Sequence, residues 1–122
     1  MMNQLDEFIA RIKSSPEDTE FQDVINIIDK HYHYTPTRFT NGPEDNGVIN
    51  AAGENEGSCK IFSFAKINGL TVEQTLNCFG QYYRDDVLKD PEGSDHQNIR
   101  TFIKYGWEHV FFDGDALKET KE

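Results

Sequence analysis

Two side chains in this 122-residue sequence have the chemistry of a nucleophile and its base, namely Cys59 and His96. Cys59 lies at the predicted start of a helix, where the positive end of the helix dipole and free backbone N–H groups lower a thiol pKa. His96 lies near the start of another predicted helix and could accept the thiol proton, with Asp95 or Asn98 orienting its ring. This pattern gives one hypothesis of function, a thiol-dependent hydrolase or transferase.

Two glutamates near the start of the helix oppose an activated thiol. Glu54 and Glu56 precede Cys59, and their negative charges raise a thiol pKa and offset the helix dipole. Free cysteines are also among the residue types most often buried. We therefore expect Cys59 to be a small core residue, and we expect the same of Cys78, which falls beside an apolar helical stripe.

The same segment supports a second hypothesis, the binding of a small anionic ligand. Ser58 and Ser94 are predicted helix caps, and the first backbone N–H groups of a helix attract anions. Positive charge could come from Lys60, Arg84 and Arg100. The competing interpretation of Arg84 is a structural ion pair with nearby carboxylates, and a protein partner remains an alternative to the anion.

Metal binding is a third alternative, which the residue spacing does not favour. No HExxH, CxxC or Asp-rich loop occurs in the sequence. The histidines and acidic residues that could contribute ligands are His31, His33, Asp85, Asp86, Asp95 and His96. We predict that these are surface charges rather than metal ligands, and the sequence leaves any cofactor unspecified.

The composition excludes one class of partner and favours one compartment. The chain carries 22 acidic and 12 basic residues and a formal net charge of −10, which repels a nucleic-acid backbone. It has no apolar stretch long enough to span a membrane, and the first residues lack the pattern of a signal peptide. Two cysteines are too few for a disulfide framework. We expect a cytoplasmic protein that binds neither nucleic acid nor membrane, and its oligomeric state is left open.

Helical periodicity and capping signals predict five helices that position these groups. The first helix carries an apolar stripe over residues 5–12 and ends near Ser14. The second is predicted to be capped by Ser15, with Pro16 in its first turn, and to run to about Lys30.

The last three helices each follow a serine or threonine cap. Ser58 is the predicted cap of the third helix. Residues 71–74 form a capping box for a fourth helix that runs to about Tyr83. Residues 94–97 form a second capping box, for a fifth helix that Gly106 ends.

The remaining segments predict turns and short strands. Residues 34–57 contain two prolines, four glycines and two Asn-Gly pairs, so the chain must turn more than once. Short strands are expected around residues 37–39, 48–50 and 107–112, and the tail 115–122 is expected to be frayed or weakly helical. The predicted fold is a single helix-dominated α+β domain over residues 1–122.

Four sequence blocks together resemble the HopJ type III effector family. They are YTPTRFTNG (34–42), AGENEGSCKIFSFAK (52–66), TLNCFGQYYRDDVL (75–88) and GSDHQNIRTFIKYGW (93–107). The resemblance implies a bacterial protein related to effectors that are secreted into host cells, and it implies no catalytic residues.

The residues themselves place the predicted site at the loop 41–57 and at the starts of the third and fifth helices. The residues expected to bind a ligand there are Glu54, Glu56, Ser58, Lys60, Arg84, Asp95, Asn98 and Arg100.

Overall fold

A computed structural model describes residues 3–120 of the protein, and it contains five α-helices within that range. The helices are α1 (Gln4–Ser14), α2 (Phe21–His31), α3 (Glu56–Ile67), α4 (Val72–Asn77) and α5 (Gln97–Tyr105). A π-helix spans Tyr82–Val87, and short 3-10 helices span Pro16–Asp18 and Gly106–His109. The prediction of a helix-dominated α+β fold is confirmed.

Five short strands form two small antiparallel sheets. The strands are β1 (Tyr32–Tyr34), β2 (Phe39–Asn41), β3 (Val48–Asn50), β4 (Val110–Phe112) and β5 (Leu117–Glu119). β1 pairs with β5, and the second sheet has the order β3-β2-β4. Each sheet therefore joins segments that are far apart in the sequence.

Helix α3 lies at the centre of the core. Its residues 61–65 are all buried, so this helix is covered by other elements on nearly every side. The ring of Phe62 lies 4.9 Å from that of Phe102, 5.4 Å from that of Phe79 and 6.0 Å from that of Phe39, measured between centroids. These contacts link α3 to α5, to the turn that follows α4 and to β2.

The second predicted helix begins later than its sequence signals indicate. Ser15 makes no side-chain capping hydrogen bond, and Pro16–Asp18 form only one 3-10 turn. The α-helix begins at Phe21, after two residues in extended conformation. The prediction that Ser15 caps this helix is wrong, because the chain straightens at Thr19, whose buried backbone carbonyl accepts a hydrogen bond from Arg84.

The fourth predicted helix is divided by a turn. Thr71 and Gln74 form the predicted capping box, but α4 ends at Asn77. Gly80 then adopts a φ of +58°, which is incompatible with a continuous helix, and the chain resumes as the π-helix. The predicted continuous helix to Tyr83 is therefore wrong after Asn77.

The C-terminal predictions also need correction. Residues 106–109 form a 3-10 helix, so the predicted strand over residues 107–112 is confirmed only for β4. The tail was expected to be frayed or weakly helical, but Leu117–Glu119 form β5 against β1. Leu117 is buried in the core, which supplies the reason for this pairing. Residues 121–122 lie outside the described range.

No helix within residues 3–120 is both long enough and apolar enough to cross a membrane.

Candidate functional site

A cavity of about 360 Å³ lies where the starts of α3 and α5 meet the π-helix. Its polar wall consists of Asn55, Gly57, Ser58, His96, Gln97 and Asn98. All six residues belong to the first turn of a helix or to the residue just before it. The cavity therefore lies between the amino-terminal ends of two helices.

Both helices begin after a residue in the left-handed backbone region. Asn55 has a φ of 49° and His96 a φ of 51°, and they are the two non-glycine residues with positive φ within residues 3–120. Such a conformation costs about 1–2 kcal/mol for a residue with a Cβ atom. Neither residue caps its helix with its side chain. Strained residues of this kind cluster at functional sites.

The first backbone N–H groups of both helices lack acceptors. The N–H groups of Glu56, Gly57 and Ser58 at α3, and of Gln97 and Asn98 at α5, donate to no acceptor in the described part of the chain. These groups carry the positive end of the helix dipole. Helix starts of this kind bind carboxylate, sulfate and phosphate groups.

A cluster of four asparagines begins in the polar wall and extends behind it. It comprises Asn41, Asn50, Asn55 and Asn98, which we call the asparagine cluster. Asn50 Oδ1 accepts from Asn55 Nδ2 at 2.7 Å and from Asn98 Nδ2 at 2.9 Å. Asn41 Nδ2 donates to the backbone oxygen of Asn98 at 2.8 Å. The cluster connects β2 and β3 to the starts of α3 and α5.

The π-helix supplies part of the opposite wall. Tyr82 lines the cavity, and its ring packs edge-on against Phe21 at 5.0 Å and lies 5.4 Å from the ring of His96. Four residues later, Asp86 Oδ2 lies 3.0 Å from His96 Nε2. π-helical segments are rare and occur often at functional sites. Here two residues of the segment contact the His96 ring, Tyr82 with its own ring and Asp86 with its carboxylate.

The apolar part of the wall is aromatic and aliphatic. Besides Tyr82 it contains Phe21, Val48, Phe79 and Ile99. A mixture of apolar surface and a few convergent polar groups is typical of small-molecule sites.

The lining contains no carboxylate, although the protein has 22 acidic residues. Two acidic side chains beside the lining have side-chain partners. Asp86 pairs with His96, and Asp95 Oδ1 accepts from Arg100 at 2.6 Å. The Arg100 guanidinium holds the pKa of the Asp95 carboxyl below its usual range. The cavity lining itself thus carries no acidic side chain, with Asp86 behind His96 and Glu56 at the first position of α3.

Cys59 and His96 are not in hydrogen-bond contact. Cys59 is 1% exposed, and its Sγ lies 3.6 Å from the backbone oxygen of Thr37. Burial raises the pKa of the Cys59 thiol, and the charge of Glu56 raises it further. The thiol therefore lacks the accessibility, the low pKa and the neighbouring base that a nucleophile requires. This geometry does not favour the thiol-dependent enzyme hypothesis, which stays a prediction without support from the contacts.

Of the other predicted ligand-binding residues, Ser58 and Asn98 line the cavity. Lys60 instead pairs with Asp29 at 2.8 Å. Arg84 donates to backbone and side-chain oxygens of Asn77.

The remaining residues in that set also have structural partners or positions outside the lining. Glu54 accepts a hydrogen bond from the backbone N–H of Ala51. Glu56 is an exposed first residue of α3, and its side chain is not part of the cavity wall. Asp95 and Arg100 form the ion pair described above. The predicted positive charges therefore do not reach the cavity.

The predicted caps of α3 and α5 are wrong. α3 begins at Glu56, two residues before Ser58, and α5 begins at Gln97 after His96 rather than after Ser94. In both cases the residue before the helix has a side-chain partner earlier in the chain, with Asn55 bound to Asn50 and His96 bound to Asp86.

Asn41, Asn50 and Asn55 lie within the loop 41–57 of the predicted site, but none of them was predicted individually, and Phe21 was not predicted at all. Asn50 is 0% exposed. The signal available in the sequence was the recurrence of asparagine at positions 41, 50 and 55, next to predicted strands and a predicted helix. Local spacing could not show that these side chains meet, because Asn50 and Asn98 are 48 positions apart.

Within residues 3–120, no three His, Cys, Asp or Glu side chains are grouped so that they could hold a metal ion.

Comparison with known proteins supports one assignment. The model of the family described as HopJ type III effector protein matches residues 5–117. The crystal structure of the unknown function protein VPA0580 has a similar fold, with a TM-score of 0.91 and 47% sequence identity, and the match covers 98% of this chain and 97% of that chain. No curated protein matches the chain. Since the family model covers nearly the whole chain, the protein belongs to the HopJ type III effector protein family.

Proposed function

We propose that the protein binds a small organic anion in the cavity between the starts of α3 and α5. The ligand has a carboxylate or phosphate group that contacts the free N–H groups and an apolar or aromatic body that packs against Phe21 and Tyr82. This is a binding function, and it requires no covalent step.

One observation carries the proposal. Two helix starts without side-chain caps border the same cavity, and no carboxylate lines it in a protein with a net charge of −10. Backbone N–H groups at a helix start attract anions, and a nearby carboxylate would cancel this attraction. The positions of the free donors and the absence of acidic side chains from the lining thus favour the same kind of ligand.

The aromatic wall supports an organic rather than an inorganic anion. A cavity of about 360 Å³ is far larger than a single phosphate or carboxylate group needs. The rings of Phe21, Phe79 and Tyr82 offer apolar surface beside the polar wall. Burial of an apolar body adds favourable free energy in proportion to the area removed from water.

Family membership suggests where such binding takes place. Type III effectors are secreted into host cells, and the family description is consistent with that route. We propose that the ligand is a small metabolite available in the cytoplasm of the bacterium or of a host cell.

The proposal is tested with matched anionic and neutral probes. Phenyl phosphate and benzoate share an aromatic ring with benzyl alcohol, which carries no charge. Titration of ¹⁵N-labelled protein should move the backbone amide resonances of Gly57, Ser58 and Gln97 with both anions, and much less with benzyl alcohol. Equal shifts with all three probes, or shifts confined to other regions, would refute an anion site.

A charge variant provides the second arm of the test. Ser58→Glu places a carboxylate at the α3 start, where it repels an anion. We expect it to weaken phenyl phosphate binding by about tenfold or more, an effect comparable to that of one charge-assisted hydrogen bond. Ser94→Glu adds the same charge at an exposed serine outside the cavity lining. Wild-type affinity in the Ser58→Glu variant would contradict the proposal.

A further inference from the structure

The asparagine cluster lies against the cavity, but its central member is not part of the lining. We propose that Asn50 is a positioning residue that sets the spacing of the two helix starts and thereby the affinity of the cavity for an anion. This inference rests on the proposed function. It adds a residue that no contact with the ligand would identify.

The hydrogen bonds of Asn50 carry the inference. Its single Oδ1 atom accepts from Asn55 at 2.7 Å and from Asn98 at 2.9 Å. Asn55 is the residue before α3, and Asn98 is the second residue of α5. One side-chain oxygen therefore joins the beginnings of two helices that border the cavity.

The amide nitrogen of Asn50 forms further hydrogen bonds to α5 and to the sheet. Asn50 Nδ2 donates to Asn98 Oδ1 at 3.1 Å, so the two amides bind each other in both directions. The same nitrogen lies 3.5 Å from the backbone oxygen of Phe39 on β2. Because Asn50 belongs to β3, the bridge is attached to the sheet and cannot move independently of it.

The cost of burying these amides indicates that their geometry matters. Asn41 and Asn50 are 0% exposed and Asn98 is 6% exposed. Burial of an amide is unfavourable unless its groups are hydrogen-bonded, and an apolar side chain of similar volume would avoid that cost. Hydrogen bonds are directional, whereas apolar contacts are not, so the cluster specifies distances that a packed apolar group would leave less defined.

Asn41 provides a matched control within the same cluster. It is as fully buried as Asn50, and it donates to the backbone oxygen and Oδ1 of Asn98. It has no hydrogen bond with Asn55 in the described chain. Loss of the Asn41 amide therefore removes buried hydrogen bonds at α5 but leaves the bridge between the helices.

The experiment compares Asn50→Ala with Asn41→Ala in the full chain. Both variants are expected to lower the Tm. Isothermal titration with phenyl phosphate should show a loss of affinity of about tenfold for Asn50→Ala and less than about threefold for Asn41→Ala. A similar loss in both variants, or wild-type affinity in Asn50→Ala, would overturn the positioning role.

Amide resonances of the ligand-free proteins give a readout that a general loss of stability would not produce. Asn50→Ala should shift the N–H resonances of both Gly57 and Gln97, whereas Asn41→Ala should shift Gln97 and leave Gly57 near its wild-type position. Unchanged resonances of Gly57 in Asn50→Ala would also overturn the inference.

A second variant covers the case in which Asn50→Ala does not fold. Asn55→Gly removes the donor on the α3 side, and glycine adopts the positive φ of this position without strain. We expect it to fold and to shift the Gln97 resonance of the ligand-free protein through the broken bridge. Because Asn55 itself lines the cavity, this resonance rather than the affinity decides, and an unchanged Gln97 resonance would contradict the inference. Failure of the wild-type protein to bind the probe would refute the proposed function instead, while the ligand-free resonances would still decide whether Asn50 holds both helix starts.

Discussion

The sulfur of Cys59 lies in the core, 3.6 Å from the backbone oxygen of Thr37. Cys59 is the first buried residue of α3, and the buried residues 61–65 follow it. Its neighbour Ser58 has the opposite environment and lines the cavity. Adjacent residues in one helical turn thus differ in accessibility, since Ser58 is half-buried and Cys59 is buried.

The native thiol of Cys59 is expected to be unreactive. Because burial raises its pKa, the thiolate that reacts with disulfide reagents stays scarce even at about pH 8. Both cysteines are buried, so Ellman's reagent should label neither in the native protein and both in denaturing urea. Rapid native labelling, removed by Cys59→Ala but not by Cys78→Ala, would revive the thiol-dependent enzyme hypothesis.

Residue types revealed Ser58, His96 and Asn98 as site candidates, and all three line the cavity. They did so because polar residues at helix starts can be recognised from local patterns. The same patterns failed for Lys60 and Arg100, whose charges are taken up by Asp29 and Asp95. Asp29 is 31 positions from Lys60, so local sequence could not identify that pair, whereas Asp95 lies only five positions from Arg100.

At the scale of elements, helix starts separate into those with side-chain caps and those without. At α4, Thr71 Oγ1 accepts from the N–H of Gln74 at 3.1 Å, and the Gln74 side chain accepts from the N–H of Thr71 at 2.9 Å. The starts of α3 and α5 lack such bonds and face the cavity. α2 also begins without a side-chain cap, after Glu20, so what distinguishes α3 and α5 is that two uncapped starts border one cavity.

The Thr71 cap should contribute measurably to stability. Thr71→Ala removes one acceptor of the capping box, and we expect the free energy of unfolding to fall by about 1 kcal/mol. Ser15→Ala is the control, since Ser15 forms no side-chain cap, and it should change stability by less than about 0.5 kcal/mol. Urea denaturation measures both values. Equal losses would show that the hydrogen-bond geometry at Thr71 does not determine its contribution.

The turn between α4 and the π-helix should tolerate no side chain. At Gly80, which has a φ of +58°, an added Cβ would lie 2.6 Å from the backbone nitrogen of Phe21. Gly80→Ala should therefore displace α2 or the turn and destabilise the protein by more than about 2 kcal/mol, as strain and overpacking add.

Gly69 provides a control that separates the cost of left-handed backbone strain from the cost of a steric clash. It has a φ of +65°, but an added Cβ there meets no atom within 4 Å. Gly69→Ala should cost only the left-handed strain of about 1–2 kcal/mol. If thermal or urea unfolding gives the same loss for both variants, close packing of the turn against Phe21 is not the reason for glycine at position 80.

At the scale of the whole molecule, negative charge surrounds a cavity that lacks it. The formal net charge of −10 produces a repulsion among surface carboxylates that opposes the compact state. Several carboxylates are compensated locally, as in the pairs Lys60–Asp29 and Lys89–Asp85. The excess of acidic over basic residues leaves the remainder uncompensated.

The Tm should rise with ionic strength. The Debye length falls from about 30 Å at 0.01 M salt to about 8 Å at 0.15 M, so added NaCl screens the repulsion between distant carboxylates. Differential scanning calorimetry should show a Tm increase of several degrees over this range. The Ser58→Glu variant is the control, because its added carboxylate disfavours chloride binding at the α3 start. If charge screening is the cause, its Tm should increase by the same amount. A falling Tm would mean that attractive ion pairs dominate.

The sequence by itself determined the helix-dominated class, the capping box of α4 and the family, because periodicity, local capping and ordered sequence blocks are properties of contiguous residues. Only the tertiary structure decided that Asn55 and His96 precede the helices in left-handed conformation and that β5 pairs with β1. It also decided that Asn50 and Asn98 share a buried amide pair although 48 positions separate them. The physical reason is that burial and hydrogen bonding between distant segments outweigh the local preferences of a serine cap or a frayed tail.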